Sequence, residues 1–269
     1  MCNIYGKCFT QVQLIDTQTV TPYQNIEEVY TQNIDMERAK DEIALYAIDS
    51  TQTIYGIDAM IKIVTHQHPN LHRLLHSKII YAFLLRLYRF ISYNRKVIYP
   101  TPTQIHERDC TPQVNTKYRW LYILFVAFFT GIVLNKFIFH INMALDLPHN
   151  WVREYIICFG QIAWQFIAIS LLSKKNTLDY LGNMSTVSMI GGLLLLPLLA
   201  INSILHLSPI IFVCYFLLVV SIMFVEHIRR CKLLGISLKM TGSWVLYRTV
   251  VLGIIVSLMG ISGIGLFGN

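Results

Sequence analysis

The residues at the start of the chain that could do chemistry are two cysteines, Cys2 and Cys8, within a segment whose apolar residues have helical spacing. On one helix, six residues at about 1.5 Å rise separate them by roughly 9 Å, beyond the reach of a disulfide bond. We expect Cys8 to be a core residue. Cys2 stands at the helix N-terminus, where thiolates are stabilised, and is either part of a thiol site or a terminal residue without chemistry.

Histidines are densest between residues 66 and 76, at His66, His68, His72 and His76. The last two are one helical turn apart, a spacing that can hold a metal ion. No carboxylate or thiolate accompanies them in the sequence, so imidazoles solvated on an exposed helix are the favoured interpretation. We predict no metal and no other bound cofactor.

The elements that position these residues are organised around residues 42–64. Residues 43–48 are apolar enough for a strand, 49–52 have turn chemistry, and 53–55 are β-branched or aromatic. Gly56 breaks the second strand, and Asp58 suits the first turn of a helix. This order predicts a β-hairpin that leads directly into a helix. A longer amphipathic helix is predicted over 69–96, and 26–36 is expected to be a weak helix.

Two short motifs accompany this pattern, YGIDA at 55–59 and YRFISYNR at 88–95. Their order resembles that of the DCC family of thiol-disulfide oxidoreductases, in which a strand, G-x-x-A and a long helix precede Y-R-x-x-x-x-N-R. The resemblance covers residues 1–99. It implies a thioredoxin-like α/β domain.

The DCC family is named after an Asp followed by Cys-x-x-Cys, between the first strand and the first helix. Cys2 matches the second cysteine of that motif, whereas the Asp, the first cysteine and the preceding strand are not in this sequence. We therefore expect an N-terminally truncated domain with its first strand missing. The resemblance implies dithiol/disulfide exchange with an unknown thiol or disulfide substrate, and Cys2 is the catalytic residue that it assigns.

Two other interpretations stay open. In one, the chain is a non-enzymatic membrane protein whose redox domain has decayed into a docking module. In the other, it is a small-solute permease with a redox-sensing domain. An in-frame strand and Asp-Gly-x-Cys-Pro encoded upstream would favour the enzyme.

The second half of the chain is strongly apolar, which explains why 54% of all residues are hydrophobic. After a linker over 100–117, residues 118–269 form a membrane domain with about five predicted transmembrane helices, at 118–135, 155–172, 184–205, 209–225 and 245–267. Of the net charge of +7, ten Lys and Arg against four Asp and Glu place +6 in this half. The excess of positive charge therefore belongs to the part of the chain that contacts a lipid bilayer, and it gives no reason to expect a nucleic-acid partner.

The distribution of positive charge predicts an orientation. Eight Lys and Arg fall in loops on the side of the N-terminal domain and two on the other side. By the positive-inside rule, the N-terminal domain is cytoplasmic and the C-terminus is outside, in a multi-pass protein that we expect in a bacterial inner membrane. Arg248, in the last span, is expected to snorkel to the interface.

Polar residues within the predicted spans lie on single faces, with Gln161, Trp164 and Gln165 in the second and Asn183, Ser185, Ser188, Gly191 and Gly192 in the third. Contacts between helices are the favoured interpretation, and a small-molecule pathway is the alternative. Cys158 and Cys214 have similar predicted depths. They are expected to be small apolar packing residues, or else a membrane dithiol.

Overall fold

A computed structural model describes residues 2–16, 19–21, 25–48, 51–100, 114–144, 150–172 and 177–264. The chain divides into two units, residues 1–119 and 120–269. The first contains helices α1 (Cys2–Gln11), α2 (Glu28–Thr31) and α3 (Met36–Asp41), strands β1 (Ala44–Ala47) and β2 (Gln52–Tyr55), then α4 (Gly56–Gln67), a 3₁₀ turn (Pro69–Leu71), α5 (His72–Leu75) and α6 (Lys78–Ile98).

The predicted hairpin and the helix after it are confirmed. Strands β1 and β2 pair antiparallel, with Ala44 opposite Tyr55 and Ala47 opposite Gln52. Gly56 has a φ of +65°, and its N–H donates to the carbonyl of Ile43 at 2.8 Å. Only glycine adopts this conformation without strain, so Gly56 is what allows β2 to turn at once into α4.

The core of the first unit lies where α4 packs on α6. Ile57, Ile61 and Tyr88 are buried together, with Ile43, Met60, Leu75, Tyr81, Leu84 and Leu85 packed against them. The apolar spacing of α4 places Ile57, Met60 and Ile61 on one face of that helix. The hairpin and two helices thus form one small α/β layer.

Other predictions for this unit need correction. Of the helix expected over 26–36, only α2 and the first residue of α3 are helical, and the rest of α3 was not predicted. The helix expected over 69–96 is interrupted before Ser77. The described part of the chain contains one sheet, of two strands, so a larger thioredoxin-like sheet is not seen there. The predicted linker falls mostly on 101–113, outside the described residues.

The second unit consists of long helices: α7 (Thr116–Ala144), α8 (Arg153–Leu172), α9 (Thr177–Leu205), α10 (Pro209–Leu233) and α11 (Lys239–Ile264), the first of which begins within the first unit. Helices α7, α8, α9 and α10 are long and apolar enough to cross a membrane, which confirms four of the predicted spans and makes the chain an integral membrane protein. The fifth predicted span overlaps α11, and its residues 265–267 lie outside the described residues.

Small residues let these helices approach closely. A Cβ added at Gly191 of α9 would overlap the sulfur of Met223 on α10, and one added at Gly160 of α8 would overlap the hydroxyl of Tyr247 on α11. Membrane helices associate through such packing, because lipid tails leave no hydrophobic force to drive them together. The core of this unit is apolar except for the polar side chains described below.

Candidate functional site

The expected thiol site lies at the start of α1. Cys2 is the first residue of this helix, and its side chain is outside the described part of the structure. Cys8 is on the same helix as a free, exposed thiol, so the expectation of a core residue was wrong. The short α1 segment therefore exposes Cys8, and the structure does not describe what surrounds the Cys2 sulfur.

Tyr88 and Asn94 of the second motif are buried and bond to neighbouring elements, whereas Arg89 is exposed. The hydroxyl of Tyr88 accepts the N–H of Ile43 at 2.9 Å, which ties α6 to the residue before β1. The side-chain amide of Asn94, fully buried, donates to the carbonyls of Phe90 at 2.9 Å and Tyr118 at 3.0 Å. The Y-R-x-x-x-x-N-R motif thus holds the domain together, and its tyrosine and asparagine act through hydrogen bonds.

Two further contacts complete this arrangement. Arg95 donates through its guanidinium to the carbonyl of Lys40, near the end of α3. Ser92 donates to the carbonyl of Asp41, at 2.5 Å. Both carbonyls belong to the end of a helix, where backbone acceptors have no partner within the helix itself. The same face of α6 therefore fixes both α3 and the hairpin.

The histidines do not form a metal centre in the structure as described. His72 and His76 stack with ring centroids 4.2 Å apart, and Nδ1 of His76 lies 3.0 Å from the carbonyl of His72. Among the side chains that the structure describes, no group of three or more His, Cys, Asp or Glu is placed to hold a metal ion.

A buried polar chain crosses four helices of the membrane unit. The hydroxyl of Tyr180 donates to Oε1 of Gln165 at 2.8 Å and lies 3.2 Å from Nε2 of His227. Nδ1 of His227 lies 3.1 Å from the hydroxyl of Thr241. All four side chains are buried. These four side chains join α8, α9, α10 and α11 through neutral hydrogen bonds, which replace those that lipid cannot supply.

Cys231 lies beside these hydrogen-bonded side chains, one helical turn after His227. Its sulfur is 3.6 Å from Nδ1 of His227 and 3.8 Å from the hydroxyl of Thr241. A thiol next to an imidazole can act as a nucleophile, but only 1% of Cys231 is exposed. Trp244 further covers the imidazole, with ring centroids 5.5 Å apart. Burial therefore favours a packing role for this cysteine.

Sequence reasoning missed this cluster. The available signal was the run EHIRRC at 226–231, which places a histidine and a cysteine at helical i, i+4 spacing beside charged residues. The charges form their own network: Arg230 pairs with Glu226 at 2.7 Å and donates to Oδ1 of Asn183 at 2.8 Å. Only the packing of α9 on α10 brings Asn183 to this arginine.

The polar face predicted for the second span makes contacts between helices. Gln161 accepts from Nε of Arg248 at 2.9 Å, and the indole of Trp164 donates to Ser243 at 2.9 Å. Both partners are on α11. The expectation that Arg248 snorkels to the interface needs correction, since its guanidinium bonds to the middle of α8 and lies over the ring of Trp244.

The two cysteines with similar predicted depths are not bridged. Cys158 and Cys214 are both free thiols. Cys158 packs against the apolar core of the membrane unit, whereas Cys214 is exposed on α10. These positions favour the interpretation of small apolar residues.

These features define a class, an integral membrane protein whose helices are joined by buried polar side chains and which is preceded by a small α/β unit. No protein family model, no curated protein and no solved structure matches the chain.

Proposed function

We propose that this chain is a membrane-anchored protein of thiol-disulfide exchange, with Cys2 of a thioredoxin-like N-terminal domain as the reacting thiol. The supporting observation is the placement of the residues that carry the resemblance to the DCC family. Gly56 turns the hairpin into α4, Ala59 is fully buried, and Tyr88 and Asn94 bond to the elements around them. Gly56, Ala59, Tyr88 and Asn94 thus each have a structural role that fits the residue type, which supports a shared fold.

The proposed exchange is a pair of displacements at sulfur. The Cys2 thiolate attacks one sulfur of a substrate disulfide, the substrate S–S bond breaks, and the other sulfur leaves as a thiolate. A second thiol then attacks the mixed disulfide and releases Cys2. The second thiol ends in a disulfide with the substrate sulfur that Cys2 had held, so the net reaction exchanges one thiol of the substrate disulfide for another, and no bound cofactor takes part.

The proposal includes an orientation. The excess of Lys and Arg in loops on the side of the N-terminal domain supports a cytoplasmic location for that domain and an external C-terminus, in a bacterial inner membrane. A reducing compartment keeps free thiols available. The first unit would then meet thiol substrates on the cytoplasmic face.

The test measures mixed-disulfide formation on the purified full chain in detergent. We expect oxidised glutathione to add one glutathione to Cys2, detected by intact and peptide mass, and reduced glutathione to remove it. Cys2→Ser should abolish this reversible adduct. Cys8→Ser is the matched control, because Cys8 is an exposed thiol on the same helix, and its loss should leave the Cys2 adduct unchanged.

The same experiment separates the alternatives. A correctly folded chain in which Cys2 reacts no faster than Cys8 would overturn the exchange proposal and favour a docking module. A permease with a redox-sensing domain would instead show solute uptake into vesicles that changes when Cys2 is oxidised.

A further inference from the structure

A small polar cavity lies inside the membrane unit, among α7, α8, α9 and α11. Its volume is about 20 Å³, and its polar lining consists of Thr130, Gln161, Ser185, Ser188 and Arg248. Apolar side chains, including Ile162 and Met184, complete the wall. A cavity of this size holds one water molecule or one monatomic anion, and nothing larger.

Three buried polar atoms of the residues that line the cavity have no hydrogen-bond partner. They are Oγ1 of Thr130, Nε2 of Gln161 and Oγ of Ser185, and each of these residues is at least 95% buried. Leaving one such group unpaired away from water costs about 1–3 kcal/mol. Three orphaned groups around one cavity therefore indicate an occupant that bonds to all of them.

The donor character of the lining limits what that occupant can be. An amide nitrogen can only donate. The bond from Arg248 to the amide oxygen of Gln161 shows which of its two amide atoms is the unpaired nitrogen. The guanidinium of Arg248 also only donates, and the two hydroxyls can donate as well. The lining therefore suits a species that accepts several hydrogen bonds at once.

Charge decides between water and an anion. Arg248 is partly buried, and no carboxylate among the described residues forms an ion pair with it. The carboxylate of Glu154, on the neighbouring α8, is already paired with Arg153 at 2.7 Å. An unpaired charge in a membrane bundle is strongly unfavourable, and a bound anion removes that cost whereas a water molecule does not.

We propose that this cavity is a binding site for one small monatomic anion of the chloride class, held by Arg248, Gln161, Thr130 and Ser185. The site is independent of the proposed thiol chemistry, since all of its residues belong to the membrane unit. Its occupant joins α7, α8, α9 and α11 through one charge.

The test is halide binding to the full chain, purified in detergent with gluconate as the only anion. Radioactive chloride should bind saturably, with one site per chain, and bromide should compete whereas sulfate should not. Crystals grown in bromide should show its anomalous signal in the cavity. Absence of saturable binding, with the cavity occupied by water alone, would overturn the proposal.

Variants identify the residues that hold the anion. Arg248→Gln and Ser185→Ala should each weaken chloride binding at least about tenfold, since each removes a bond to a charged group. The matched controls are Arg229→Gln and Ser221→Ala, which make the same changes at exposed positions of α10 outside the cavity lining and should leave binding unchanged. If Arg248→Gln does not fold, Ser185→Ala and Thr130→Val carry the test, and unchanged affinity in both would overturn the site.

Discussion

Replacing Tyr88 by Phe tests whether the motif on α6 holds the hairpin in place. The change removes only the hydroxyl that accepts the N–H of Ile43 at 2.9 Å, in a partly buried position. The ring, which packs against Ile57 and Ile61, stays in place. The expected loss is about 1–2 kcal/mol, the cost of one hydrogen bond plus part of the desolvation of an unpaired N–H.

Hydrogen exchange on the full chain in detergent measures this loss locally. A change of about 1–2 kcal/mol in local opening raises the exchange rate of amides in residues 43–47 roughly 5- to 30-fold. Amides of α10, in the other unit, should be unaffected. Near-equal protection of residues 43–47 in the variant and the unmodified chain would refute the reasoning.

Tyr93→Phe is the matched control. Tyr93 is on the same helix and stacks on Tyr118 with ring centroids 5.2 Å apart. Among the described residues, its hydroxyl has no hydrogen-bond partner. We therefore expect the control variant to keep the protection of β1, which separates loss of the Tyr88 bond from a general effect of removing a phenol on α6.

Three other predictions concern the junction of β2 with α4, a surface hydrogen bond and the topology. Gly56→Ala should destabilise the first unit by about 1–2 kcal/mol in thermal unfolding, because its φ is +65° and the new Cβ would lie 3.0 Å from Oε2 of Glu42. The hydrogen bond of Tyr81 to Asp58 raises the pKa of that phenol. Tyr81→Phe should therefore be less stable than the unmodified chain at pH values below about 10, and this stability difference should vanish as the pH rises through the raised pKa. A reporter fused after Asn269 should be active only outside the cytoplasm.

Each of these predictions has a control or a contradicting outcome. Gly253→Ala, in α11 with nothing within 4 Å of the added Cβ, should not destabilise the chain. For Tyr81, a stability difference that persists unchanged above the raised pKa would show that the hydroxyl does not act as a donor to Asp58. A reporter placed after Lys175 should be active inside, and the reverse pattern would move the first unit to the external side.

Elements that depend on a local sequence pattern could be predicted from the residues alone. The hairpin could be predicted because 43–55 combine strand-forming runs with a turn, and Gly56 marks a backbone conformation that other residues avoid. Four membrane helices could be predicted because length and apolar composition are what a bilayer requires. These signals need no knowledge of which residues meet.

Boundaries and burial were less predictable. The sequence pattern placed Cys8 in a core and predicted one helix over 26–36, of which only 28–31 and 36 are helical, because a helical spacing of apolar residues does not reveal what packs against it. The break before Ser77 likewise interrupts a run whose composition is helical on both sides. Such breaks depend on how the helices must turn to reach the core.

The partners of the polar side chains, in contrast, depend on how the helices pack. Tyr180 and His227 are far apart in sequence and lie 3.2 Å apart because α9 packs on α10. Arg248 was expected to reach the interface, yet it bonds to Gln161 and borders a cavity with unpaired donors. A sequence pattern gives the face of a helix on which a side chain lies, whereas its partner depends on the order and rotation of neighbouring helices, which are set by packing that no local pattern encodes.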